Sequence, residues 1–204
     1  MMTTVPPIAL AGLAALSDTL RTAARLPGVL VYLSPELGTN ACAERRCAPA
    51  PMVGIGSALL DVRTAALQGA VAHEIAHHAL GHTSDPTVPV LDRLSRWTAI
   101  AAVLAWPARL PLALVLTLAA SAAALWLVST WCQRRAEYAA DAHAALLLDA
   151  VGLPGRWVVA SMLIADLPGE PRWYGLGGWL IGSHPATRAR IRRITTVSRS
   201  GGAR

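Results

Sequence analysis

The chain has 204 residues, enough for one domain with a hydrophobic core or for a small domain with a membrane segment. Hydrophobic residues make up 54% of it and charged residues only 15%, a balance outside the usual range of soluble domains. The net charge is +6, but the arginines are not interleaved with aromatic residues on a recognisable binding element, which argues against a nucleic-acid partner. Many of them flank the apolar region or lie near the C-terminus, so anionic lipid is the expected partner of these charges.

The first part of the chain predicts short elements in succession. Residues 8–20 carry leucines at helical spacing on one face and predict a helix. The apolar residues 29–33 and 52–56 predict two short strands, and the proline-rich segment 34–51 between them is expected to be a loop. A helix follows and is expected to end at Gly81.

That helix contains the sequence HEIAH at residues 73–77. Residues four apart share a helix face, so His73 and His77 can direct their imidazoles at one point, as two zinc ligands do. Glu74 lies about 100° round the helix, beside the metal position, where it could act as the general base that deprotonates water. The alternative is a polar stripe on a surface helix, although almost all the neighbouring residues are apolar.

The chain from Trp97 to Trp131 is almost wholly apolar, with Arg109 as its one charge between two prolines. The second arm, from Leu112 to Trp131, is about 20 residues long and could cross a bilayer, whereas the first arm is short. Arginines flank both ends, so the positive-inside rule predicts that both flanks are cytoplasmic. The alternative is a pair of buried helices in a soluble core.

The predicted third ligand follows this apolar run. Two histidines leave a catalytic zinc short of a protein ligand, and Glu137 begins a helical segment that could supply it. Asp141, one turn later on the same face, could accept the far N–H of a ligand histidine and fix its tautomer. Alternatively, both carboxylates only solvate a helix next to the membrane. If Glu137 reaches the histidines, the apolar run must cross the membrane an even number of times, or not at all.

These motifs together resemble the HtpX and CAAX prenyl protease family. The resemblance rests on HEIAH at residues 73–77 with Gly81-His82, the apolar span, Glu137 to Asp141, and Ser183-His184-Pro185 followed by Arg188. It implies an integral-membrane zinc metallopeptidase of the gluzincin type, with one zinc ion held by His73, His77 and Glu137, Glu74 as catalytic base and Asp141 as a support. It also implies that residues 52–56 are the edge strand along which the substrate backbone is laid.

The resemblance also brings His184 and Arg188 to the active site. Pro185 can start a helix, which would place Arg188 one turn beyond His184. His184 could then donate a hydrogen bond to the oxyanion of a tetrahedral intermediate, and Arg188 could orient or neutralise it. A simple N-terminal helix cap at His184 is the alternative. His78 and His82 are expected to have structural or surface roles, and the remaining histidine, His143, is expected to be an ordinary helix residue.

The predicted fold is therefore α+β and mainly helical: a gluzincin-like zinc metallopeptidase core with a short β-sheet and an inserted hydrophobic hairpin. The core comprises residues 1–92 and 133–197, the hairpin residues 93–132, and a disordered tail residues 198–204.

The predicted function is a zinc metalloendopeptidase that hydrolyses peptide bonds of membrane-associated proteins or peptides, with its catalytic part on the cytoplasmic side of the cell membrane. The alternative is a catalytically inactive, membrane-bound zinc protein that acts as an interaction or regulatory module. A fourth protein ligand would favour that alternative, because structural zinc sites are closed. The sequence predicts no particular oligomeric state.

Overall fold

The computed structural model describes residues 7–44, 50–171, 174 and 184–196, with side chains from residue 10 onward. Within these residues the fold is mainly helical with one small sheet, as predicted. The predicted disordered tail, residues 198–204, lies outside them. The strands and main helices are β1 (Leu30–Ser34), β2 (Ala41–Glu44), β3 (Met52–Gly56), α1 (Pro7–Ala23), α2 (Thr64–Ala79), α3 (Thr87–Ala105), α4 (Leu112–Ala150), α5 (Gly155–Asp166) and α6 (Thr187–Thr196).

The central strand of the three-stranded sheet is β3, because the strand order is β1–β3–β2. It pairs in parallel with β1, with Leu30 opposite Met52, and antiparallel with β2, with Ala41 opposite Ile55. β3 is buried beyond its first residue, which agrees with its apolar sequence. The expectation that residues 52–56 form the edge strand is therefore wrong, since β2 occupies that edge.

The expectation of a continuous loop over residues 34–51 is also wrong, because β2 forms within this segment. The sequence of β2, Ala-Cys-Ala-Glu, has no β-branched or aromatic residue, so its propensity gives no strand signal. Pairing with β3 supplies the stabilisation instead. At Gly56 the end of β3 comes very close to the backbone that precedes β2, since a Cβ there would lie 2.1 Å from the carbonyl oxygen of Gly38.

The core is built around α2, which packs against α4, α5 and the sheet. Val71, Ile75 and Ala76 on this helix are completely buried. Packing is closest at Gly69, where a Cβ would lie 2.7 Å from the Cβ of Met162 on α5. Because α2 is enclosed on several sides, its axis is held firmly by close packing.

A single unbroken helix, α4, joins the apolar run to the core. It is 39 residues long and passes through the boundary predicted at residues 132–133. In its first half, Leu112 and Leu116 are largely exposed, whereas Ala144 and Leu148 in its second half are completely buried. Glu137 lies about 9 Å along the axis beyond Trp131, at 1.5 Å per residue.

The first half of α4 packs against α3, which begins at Thr87, before the predicted start of the hairpin at residue 93. Ser95 donates a hydrogen bond to the carbonyl oxygen of Ala122 at 2.9 Å, and the Ser129 hydroxyl donates one to Asp92. Within the described residues, α4 alone is long and apolar enough to cross a membrane, and only 11% of its apolar window is buried. This exposure distinguishes it from the core helix of a soluble protein and is consistent with membrane association.

Candidate metal centre

Side chains from α2 and α4 converge at one point. The Nε2 atoms of His73 and His77, one turn apart on α2, are 3.1 Å from each other. The carboxylate of Glu137 on α4 lies 3.4 Å from His73 Nε2 through Oε2 and 3.6 Å from His77 Nε2 through Oε1. Tetrahedral ligands about 2.0–2.1 Å from an ion lie roughly 3.3–3.4 Å from one another, so these three side chains fit a single metal ion.

Asp141 links the first of these histidines to α6. Its Oδ1 lies 3.1 Å from His73 Nδ1, the nitrogen that faces away from the other two ligands. Arg190 donates to both oxygens of the same carboxylate, from Nη2 at 2.6 Å and from Nε at 2.8 Å. Its Nη1 also lies 3.2 Å from Glu137 Oε2. Arg190 therefore contacts both buried carboxylates, and its contact with Asp141 is bidentate.

The arginine that reaches the site is Arg190 and not Arg188, the residue that the sequence predicted there. Arg188 is exposed and lines a separate cavity with Ile164 and Ile191. The prediction assumed a helix that starts at Pro185, but α6 begins at Thr187, and its buried face carries Arg190 while Arg188 is exposed. The sequence carries no signal that separates Arg190 from its neighbours, because several arginines follow one another on this helix.

The predicted oxyanion donor, His184, lies at the exposed rim of the site. Its Nε2 is 3.6 Å from Glu137 Oε1, and its side chain is 63% exposed. The Tyr174 hydroxyl donates to the carbonyl oxygen of His184 at 3.0 Å, and Glu170 accepts from the backbone N–H of Thr187 at 2.7 Å. These bonds tie the segment before α6 to the stretch of chain that follows α5. Residues 172–173 and 175–183 lie outside the described part of the chain.

The charges in this cluster favour a bound cation. Burial by itself lowers the pKa of His73, but the carboxylates of Asp141 and Glu137 outweigh burial and raise that pKa to about 10. Burial and the charge on His73 lower the pKa of His77 to about 3. Burial also disfavours the charged form of Glu137, yet His73 and Arg190 lower its pKa well below the ordinary value. The carboxylates of Asp141 and Glu137 thus favour positive charge at His73, where a bound metal ion would replace a proton.

Glu74 lines the same cavity as the three converging side chains, and the cavity has a volume of about 720 Å³. Burial raises the pKa of the Glu74 carboxyl, and the backbone N–H of Ala43 on β2 donates to it. The remaining walls come from the start of β2, from α5 and from the loop before α6, including Cys42, Met162 and Tyr174. A carboxylate with a raised pKa, next to a metal position in a cleft, has the properties of a general base.

The family model of Peptidase family M48 matches residues 17–198, nearly the whole chain. The chain belongs to peptidase family M48. No curated protein and no solved structure gives a significant match. This M48 protein is therefore a metallopeptidase that acts on peptides or proteins. M48 peptidases are metal-dependent, and His73, His77 and Glu137 form the group among the described residues that could hold the ion.

The other two histidines of this region in the M48 chain have defined places. His78 is buried, and its Nε2 donates to the carbonyl oxygen of Met52 at 2.9 Å, so it connects α2 to β3. His82 does not lie half a turn away from the site, as a continued helix would require. Its Nδ1 is 3.1 Å from Nδ1 of His77. Residue spacing on a continuous helix does not predict this contact, because α2 ends before residue 82.

Proposed function

We propose that this M48 peptidase is a zinc-dependent metalloendopeptidase that cleaves membrane-associated proteins or peptides. The observation that carries the proposal is the convergence of His73, His77 and Glu137, with Glu74 in the same cavity. Two imidazoles and a carboxylate suit zinc, and three protein ligands leave one position open, as in catalytic rather than structural zinc sites. The described residues thus favour the enzyme over a closed, inactive zinc protein.

The residues of the site divide the chemistry among them. When bound, the zinc supplies Lewis-acid chemistry, polarising the scissile carbonyl and acidifying water. Glu74 takes the proton from the attacking water and delivers it to the leaving amine, a role that its raised pKa supports. We infer that His184, whose Nε2 lies 3.6 Å from Glu137 Oε1 at the rim, donates a hydrogen bond to the oxyanion. Asp141 and Arg190 hold His73 and Glu137 in position.

We infer that the substrate backbone adds to the outer edge of β2. The N–H of Gly56 donates to the carbonyl oxygen of Asn40. In this antiparallel ladder, Asn40 with Gly56 and Cys42 with Gly54 are therefore the hydrogen-bonded pairs. The backbone groups of Ala41 and Ala43 therefore point away from β3. The N–H of Ala43 serves Glu74, and Ala41 lines the cavity. An extended peptide pairing at Ala41 would lie beside the base and the metal ligands.

The apolar surface of α3 and the first half of α4 supports a membrane site of action. Val103, Trp106 and Leu116 are 71%, 70% and 59% exposed. Large exposed apolar surfaces are rare on soluble proteins and mark sites of interaction with proteins or membranes. Arginines precede the apolar part of α3 and follow the apolar part of α4. By the positive-inside rule, we therefore place the catalytic part on the cytoplasmic side of the cell membrane. The continuous helix then keeps Glu137 close to the bilayer surface.

The test uses the purified full chain in detergent with an unstructured peptide substrate. We expect Glu74→Gln to lower kcat by about 100-fold or more, because the base is lost, while the zinc content stays unchanged. Glu36→Gln, which alters an exposed glutamate outside the site, should retain parental activity. A chelator should abolish cleavage, and added zinc should restore it. Cleavage that survives both Glu74→Gln and chelation would exclude this function, and bound zinc without any cleavage would favour the inactive zinc protein.

A further inference from the structure

We propose that His82 is a positioning residue of the metal centre, which accepts a hydrogen bond from Nδ1–H of His77 and thereby fixes the tautomer and ring orientation of that ligand. The inference rests on the zinc centre of the proposed function. It assigns a role to a residue that contacts neither the metal position nor the cavity.

The two nitrogens of His77 face different partners. Its Nε2 lies 3.1 Å from His73 Nε2 and 3.6 Å from Glu137 Oε1, in the direction of the metal position. Its Nδ1 lies 3.1 Å from Nδ1 of His82, on the opposite side of the ring. The centroids of these two rings are 5.2 Å apart and their planes meet at 65°, so the contact is made by ring edges and not by stacking.

The direction of the hydrogen bond follows from the role of the ligand. A neutral imidazole that gives its Nε2 lone pair to a metal carries its proton on Nδ1. The Nδ1–H of His77 must then donate, and Nδ1 of His82 must accept with its own proton on Nε2.

The end of α2 brings His82 back to His77. Gly81 has a φ of +74°, the left-handed conformation that glycine adopts without strain. The N–H of His82 donates to the carbonyl oxygen of His77 at 3.0 Å, and that of Gly81 donates to His78 at 3.1 Å. These are the two bonds of a Schellman motif, which reverses the chain at the helix end. The reversal places residue 82 beside a residue five positions earlier.

The arrangement gives each ligand histidine an outer partner of its own. His73 has Asp141 at 3.1 Å from its Nδ1, and His77 has His82 at the same distance. The carboxylate adds negative charge to the centre, whereas a neutral imidazole orients its partner without adding charge. Removing such outer partners typically lowers metal affinity by about 10–100-fold.

The experiment compares His82→Leu, His82→Gln and the control His143→Leu, which alters a histidine of α4 outside the site. Zinc affinity is measured by competition with a chromophoric chelator, and the visible spectrum of the cobalt-substituted protein reports the ligand geometry. We expect His82→Leu to weaken zinc binding about 10-fold or more and to change the cobalt spectrum. His82→Gln, whose side-chain carbonyl can accept the bond, should recover most of both, and the melting temperature of the metal-free protein should match the control.

Parental zinc affinity and an unchanged cobalt spectrum in His82→Leu would overturn the inference. Equal losses in the Leu and Gln variants, together with a lower melting temperature of the metal-free protein, would also overturn it, since they indicate a role in folding. A parent chain that binds no zinc would instead overturn the proposed function, before any variant is compared.

Discussion

Arg190 is the residue on which the charge balance of the centre depends. It is the positive partner of two buried carboxylates, Asp141 and Glu137, and its own side chain is only 10% exposed. Burial lowers the pKa of Arg190, but hydrogen bonds and charges from these carboxylates more than offset this and raise it. A buried ion pair stabilises little by itself, yet removing one partner leaves an uncompensated charge in the interior.

We therefore expect Arg190→Met to destabilise the metal-free protein by about 3–5 kcal/mol. The same variant should gain more stability from zinc than the parent does, because the ion then becomes the only cation between the carboxylates. Thermal melting with and without zinc measures both effects. Arg188→Met, on the exposed side of the same helix, provides the matched comparison and should leave both values unchanged. The reverse ranking of the two variants would contradict the assignment of this charge-balancing role to Arg190.

The Asp141 carboxylate should also give the metal-free protein a pH-dependent stability. Burial disfavours its charged form, but Arg190 and His73 outweigh burial and lower its pKa in the folded state. A depressed carboxyl pKa contributes stability above the unfolded value of about 3.9 and loses it as the pH falls through the folded value. Urea unfolding between pH 7 and pH 3 should show stability falling in acid, with a shallower fall in Asp141→Asn. Parallel curves for the two proteins would contradict this assignment.

At the scale of elements, the sequence predicts what a local pattern specifies. The spacing of His73 and His77 depends only on helix geometry. The apolar runs of β3 and α4 can be recognised directly in the sequence. β2 has no such pattern, because its strand conformation comes from pairing across the sheet. The position of Arg190 depends on where α6 begins, and the contact of His82 depends on the reversal at Gly81. Neither is encoded in residue spacing alone.

The assignment of β2 as the substrate-binding edge can be tested at one backbone N–H. We expect Ala41→Pro to fold normally, since an outward-facing N–H of an edge strand is not needed in the ladder. Loss of this donor should lower kcat/KM about 10-fold, the effect of one hydrogen bond to the substrate. Ala41→Val retains the N–H and serves as the control. Peptide cleavage and circular dichroism of both variants provide the measurements, and equal activity of the two would place the substrate elsewhere.

On the scale of the whole molecule, α4 joins an exposed apolar surface to the buried core in one continuous helix. Its first half presents an apolar surface together with α3, and its second half carries Glu137 into the core. A continuous helix offers no hinge between them. If the apolar half is held in a bilayer, the catalytic cavity has a fixed distance from the membrane. Substrates tethered to the same membrane would then reach the cavity at a high effective concentration.

The exposed end of α3 should carry much of the membrane affinity. Val103 and Leu104 are 71% and 62% exposed, and burying each such side chain in an apolar phase contributes about 1.5–3 kcal/mol. Replacing both by serine should therefore lower partition into anionic vesicles on the order of 100-fold, measured by flotation. Trp157→Ser, at an equally exposed position on α5, should float like the parent. The double variant should cleave a soluble peptide normally but a membrane-anchored substrate poorly.

Unchanged flotation of the double variant would show that the surface of α3 and α4 does not bind the membrane. Loss of cleavage with both substrates would indicate damage to the fold.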